Sequence, residues 1–151
     1  MLSKEDTVKI AETYAAEGFL CSESCLIALA RCQGTENPLI PRIATGFGAG
    51  LGRSGEICGA VTGAVMGLSI KYGRDTVVPI KDRRPYWYAN KLLEKFRHDQ
   101  GEVRCPNLLG LDISKSIDLA EFNRRNLWKS HCTRFIMKAT EIAWEILAED
   151  D

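Results

Sequence analysis

Between Glu56 and Lys71 the chain runs for 14 residues, Ile57 to Ile70, without a single charge, and glycine returns at every fourth position through Gly55, Gly59, Gly63 and Gly67. A helix built from this run is apolar on all sides, so it belongs at the centre of a structure with other elements wrapped round it. It falls short of the roughly 20 apolar residues that cross a bilayer, and no membrane span is expected. Each glycine costs a helix about 1 kcal/mol relative to alanine. A stripe of them therefore implies that something flat must come close, either a second helix backbone or a cofactor. The spacing predicts a helix over about 55–72, closed by Tyr72-Gly73.

The segments around it read as further helices. Apolar residues at helical spacing predict helices over about 4–17, 22–32, 85–99, 117–126 and 130–148, with a shorter turn near Leu39–Ala44. Residues 46–55 hold too many glycines for a stable helix and read as a loop, as does the turn-rich Cys105–Gly110. Arg74–Arg84 reads as a charged connection, and no segment alternates with a period of two. The expectation is an all-α, single-domain bundle of five to six helices over residues 1–151, with a Gly-rich loop before a central apolar helix.

With 20 Lys+Arg against 20 Asp+Glu, the chain has no basic excess for nucleic acid. Its first residues show no basic segment followed by an apolar core and cleavage site, so a cytoplasmic location is expected. A core of this size needs no covalent or metal staple to hold it, which leaves six cysteines in want of a reason. Cys25 and Cys32 stand seven apart on the face of Leu29 and read as small core residues. Cys21, Cys58 and Cys132 fall at expected helix starts, where free N–H groups and the helix dipole lower a thiol pKa, and Cys105 sits in a loop against Pro106.

Other motifs are weaker. Gly50-x-Gly52-x-x-Gly55 spells a dinucleotide fingerprint, but no strand precedes it. No Cys-x-x-Cys-His is present, so covalent haem is not expected. The spacings 37, 47 and 27 between Cys21, Cys58, Cys105 and Cys132 match no zinc knuckle. His131 reads as a helix-start or surface residue, with a proton relay as its alternative, and Arg53 as a loop cation able to pair with an anion. Tyr86, Trp87 and Tyr88 read as packing or an oligomer surface.

Cys58-Gly59-Ala60-Val61-Thr62-Gly63, its glycine-rich lead Gly46–Arg53, the step Gly18-Phe19-Leu20-Cys21, the turn Cys105-Pro106-Asn107-Leu108-Leu109-Gly110 and Cys132 together resemble the C_GCAxxG_C_C family of redox-active proteins from bacteria and archaea. The resemblance spans nearly the whole chain and fills all four of the family's cysteine positions; Cys25 and Cys32 are extra. The family also looks like the fold of split-Soret-type cytochromes, helical proteins that carry haem and an iron–sulfur centre. What the resemblance implies is redox activity; it names no substrate.

Three chemistries are open for Cys21, Cys58, Cys105 and Cys132. They can ligate an iron–sulfur cluster for electron transfer or redox sensing, with Gly59 and Gly63 beside it. They can work as a thiol–disulfide or sulfur-handling oxidoreductase, Cys58 attacking and Cys21, Cys105 or Cys132 resolving. They can enclose zinc as a structural module. A redox partner protein is implied by the first, and a homodimer by the apolar central helix.

Overall fold

The computed structural model describes residues 1–77, 79–80 and 85–149. It is all-α, with α1 Lys4–Ala16, α2 Cys21–Cys32, α3 Gly48–Leu51, α4 Gly59–Tyr72, α5 Trp87–Gln100, α6 Cys105–Leu109, α7 Ser116–Arg124 and α8 Thr133–Ala148. A 3₁₀ stretch, Arg42–Phe47, precedes α3, and a π turn, Trp128–Cys132, runs into α8. Among the described residues eight helices stand where five to six were expected; α3 and α6, of four and five residues, are the surplus. Segments that short leave no periodicity to read. The charged connection Arg74–Arg84 lies partly outside the described residues.

The central helix starts later than expected, at Gly59 with Cys58 as its N-cap, because residues 52–58 are drawn into turns and a bridge to Arg104. The glycine stripe settles into helix packing. A Cβ on Gly63 would stand 2.3 Å from the Ser22 carbonyl oxygen and 2.7 Å from the Ser22 Cα, and one on Gly67 would stand 2.5 Å from Leu29 Cβ. α2 thus lies directly on the α4 backbone. Gln33 continues the contact by donating from Nε2 to the Gly67 carbonyl at 2.9 Å.

α2, α4 and α8 pack mutually into the core, α1 lies against α2 and α8, and α5 lies against α4 and α8. Ala11, Leu26, Leu29, Leu68, Leu92, Phe96 and Ile136 are almost fully enclosed there. Cys25 and Cys32 are buried as well, Cys25 receiving the Thr140 hydroxyl at 3.5 Å. At the far end Tyr72, Trp87 and Tyr88 stack together, and the Tyr88 and Ser69 hydroxyls share a hydrogen bond of 2.8 Å. Trp87 and Tyr88 therefore pack between α4 and α5, while Tyr86 stays exposed.

Two local devices fix the ends that matter. The Ser3 hydroxyl accepts the Asp6 N–H at 3.1 Å and caps α1. The Glu23 carboxylate accepts the Leu20 N–H at 2.8 Å at the start of α2 and the Thr45 hydroxyl at 2.7 Å from the 3₁₀ stretch, tying both to one side chain.

Replacing Gly63 by alanine should force α2 off α4 and lower stability by about 2 kcal/mol, despite the better helix propensity of alanine. Gly46→Ala, where an added methyl meets nothing within 4 Å, should change it by far less. Urea denaturation of the two variants checks both statements.

Candidate four-cysteine site

α2 delivers Cys21 as its first residue, and the same close packing sets its sulfur against α4: a Cβ on Gly59 would stand 2.2 Å from Cys21 Sγ. Gly59 is the residue after Cys58, so two of the four sulfurs are brought to one place by a missing side chain.

The third arrives by backbone pairing. Ile57 and Arg104 form an antiparallel bridge in which the Cys58 N–H donates to the Val103 carbonyl at 2.8 Å and the Cys105 N–H to the Glu56 carbonyl at 2.9 Å. The chain leaves this bridge at both ends into a helix, with Cys58 capping α4 and Cys105 opening α6. Arg104 secures it by donating to the Gly55 carbonyl at 3.0 Å.

The fourth comes from the π turn. Cys132 was expected at a free helix start, but helical structure begins at Trp128 and continues through it, and the Thr133 N–H reaches back to the Trp128 carbonyl. The wider turn inserts a residue into the helix and re-aims the side chains around it. Trp128 holds the turn in place by donating from Nε1 to the Ala15 carbonyl at 3.2 Å.

Between these elements lies a cavity of about 220 Å³ that Cys21, Cys58, Cys105 and Cys132 all line. Leu109, Ile113, Leu119, Phe122, Trp128 and Phe135 make up most of the remaining wall. Gly59 also lines it, but Gly63 does not; its face is covered by Ser22, which removes it from the expected cofactor contacts. His131 points elsewhere, sharing a 2.8 Å hydrogen bond with Ser130, while Arg53 sits on the rim with Asn123.

Ala49 is a participant that the residue pattern did not mark. Its N–H donates to Cys21 Sγ at 3.4 Å. It begins a run of five residues with positive φ, Ala49 (53°), Gly50 (66°), Leu51 (61°), Gly52 (63°) and Arg53 (63°). Such a left-handed turn costs each non-glycine residue about 1–2 kcal/mol. Gly50 makes it possible, since a Cβ there would stand 2.9 Å from both Cys105 Cβ and the Glu56 carbonyl. The glycine density of the segment was the only signal of this turn in the sequence.

The electrostatics run against the low-pKa thiol expected at Cys58. Burial pushes Cys58 well above its ordinary value of 9.0, outweighing the Ala60 N–H that favours its thiolate. Burial likewise raises Cys21, against the opposing Ala49 and Ser22 N–H groups, raises Cys132, and takes Cys105 to about 12. Negative charge on Cys21, Cys105 or Cys132 would raise another of the four: Cys58 is affected by Cys21, Cys105 and Cys132, Cys105 by Cys21, and Cys132 by Cys21 and Cys105. Desolvation thus defeats the helix-start effect, and the four thiols are held neutral together.

All six cysteines are free thiols. Among the described residues no three His, Cys, Asp or Glu side chains are grouped tightly enough to hold a metal ion. The four cysteines share the wall of one cavity without forming a closed ligand sphere.

A family model described as "Putative redox-active protein (C_GCAxxG_C_C)" matches residues 19–146. The chain belongs to this family. The matched span contains all four cavity cysteines, the whole of α2 to α7 and most of α8. No curated protein and no solved structure matches the chain. Among the described residues no helix is long and apolar enough to cross a membrane.

Raised thiol pKa values bind stability to pH with a definite sign. Protons are held more tightly in the folded chain, so the contribution is complete below about pH 9 and is lost as pH rises toward 12. Urea midpoints of the metal-free protein should fall between about pH 9 and 11, and the fall should be smaller in Cys105→Ser.

Proposed function

We propose that Cys21, Cys58, Cys105 and Cys132 ligate an iron–sulfur cluster and that the protein is a small electron carrier or cluster-based redox sensor. The observation that carries this reading is the convergence of all four sulfurs on one buried, largely apolar cavity of about 220 Å³. Four thiolates are the donor set of [2Fe–2S] and [4Fe–4S] centres. A tetrahedral zinc site needs its sulfurs about 2.3 Å from one ion. Zinc has no observation in its favour, because among the described residues no three such ligands are grouped closely enough to hold one ion.

Bound there, the cluster would supply reversible one-electron chemistry. The chain's own part is to manage charge and water. Thiols that burial keeps neutral become thiolates when a cation stands beside them, and the same burial then keeps water off the sulfurs. The Ala49 N–H on Cys21 and the Ala60 N–H at Cys58 favour negative charge on sulfur, an effect that raises the potential of a cluster. Exchange chemistry with Cys58 as the attacking thiolate has less support, because its burial opposes ionisation. Free thiols of this kind suit a reducing compartment such as the cytoplasm.

Protein produced in cluster-competent cells and purified anaerobically should be brown and contain both iron and sulfide. Serine at Cys21, Cys58, Cys105 or Cys132 should each remove at least about half of the iron, while Cys32→Ser should retain it. Colourless, iron-free protein that also fails to take up iron and sulfide on reconstitution would overturn the reading.

A further inference from the structure

The wall of the cysteine cavity that faces solvent is α7, and its attachment is unlike that of the other long helices. Among the described residues α7 makes no extended contact with any other helix, whereas α1, α2, α4, α5 and α8 each pack on at least two of the others. It is held by Leu119 and Phe122, which line the cavity, while the Asp118 carboxylate accepts the Asp112 N–H at 2.8 Å within the same segment. Its outward side is solvated; Ile117 is 79% exposed.

Both flanks carry a residue in the left-handed region, Gly110 at φ 70° and Asn126 at φ 49°. The segment 111–125 is therefore a flap between two sharp turns, with little besides its own apolar side chains to keep it down. Elements of few contacts open at lower free energy than the core. What the flap covers is a cavity, so its opening exposes the sulfurs.

The cavity has a polar end and an apolar body. Arg53 and Asn123 stand on the rim, both exposed, and Arg53 has no ion-pair or hydrogen-bond partner among the described residues. Among the described residues no acidic side chain lines the cavity; the carboxylate that acts on it from outside the wall is Asp112, which raises Cys105. A molecule entering beneath α7 meets Leu119, Phe122 and Ile113 with its body and the guanidinium with its end.

We propose that the four-cysteine cavity admits a small organic anion with an apolar body, which enters as α7 lifts and is held by Arg53 at its charged end. The proposal deepens the iron–sulfur reading, in that the sulfurs are what such a ligand approaches, and it makes the site one that acts on a guest rather than one that only passes electrons. Cations of the same shape are rejected by Arg53.

Hexanoate, hexanamide and hexylammonium serve as matched probes on the full-length chain as purified with reductant. Alkylation of Cys58 and Cys105 by iodoacetamide, read by mass spectrometry, should slow about five-fold with hexanoate, less with hexanamide and not with hexylammonium. Arg53→Gln should abolish the difference between hexanoate and hexanamide, and Arg53→Lys should keep it. Deuterium exchange over 111–125 should be faster than over α2 and α4 and should slow with hexanoate. Equal rates with all three probes, a preference for hexylammonium, or exchange in 111–125 as slow as in α4 would overturn the proposal. The same samples are scored for a chromophore after iron–sulfide reconstitution. A chromophore without hexanoate protection overturns this proposal alone, and protection without a chromophore overturns the iron–sulfur reading alone.

Discussion

Everything at the site depends on the absence of side chains along one face of α4. With hydrogen at Gly59, Gly63 and Gly67, α2 rests on the α4 backbone itself, and the first residue of α2 puts its sulfur against Gly59, one position after Cys58. Any side chain in the stripe would hold the helices apart and carry Cys21 away from its partners. The helix propensity surrendered at three glycines is thus offset by a contact that no larger residue permits.

Around that contact three unrelated local structures contribute sulfurs or support one. A two-stranded bridge places Cys58 and Cys105. A π turn, pinned by Trp128 to α1, places Cys132. A left-handed turn supplies the N–H that meets Cys21. Each departs from regular helical geometry, and all three border the same cavity while the rest of the bundle is conventional. Irregular backbone gathered round one pocket, strained at the left-handed turn, is the pattern expected of a working site in a fold otherwise able to hold itself together.

The long helices and the division of six cysteines into four and two were legible in the residues, because periodicity and position survive in a one-dimensional string. Cys25 and Cys32 shared a face with Leu29 and lie in the core. The glycine repeat announced a close approach without saying to what; Gly63 proved to face Ser22, and only Gly59 reaches the cavity. Cys132 misled, since a residue at the edge of an apolar pattern looks like a helix start, and a π turn has no composition of its own. The direction of the thiol pKa shifts was illegible for a related reason. A helix dipole can be placed from sequence, but the depth of burial that outweighs it belongs to the assembled fold.

The π turn has one more consequence, and it concerns register. An α-helix turns about 100° per residue. The extra residue in Trp128–Cys132 therefore sets the angular phase of α8 relative to the tryptophan at the start of the turn, so that Trp128 can reach α1 while Phe135, Ile136 and Ala139 face the core. Shortening this stretch by one residue would heal the helix into a regular one and preserve every side chain's chemistry. It would also turn the two halves out of phase, and the chain would have to choose between anchoring its tryptophan and burying α8. A cysteine set between them is held by that conflict, which makes the length of this segment as restrictive as its composition.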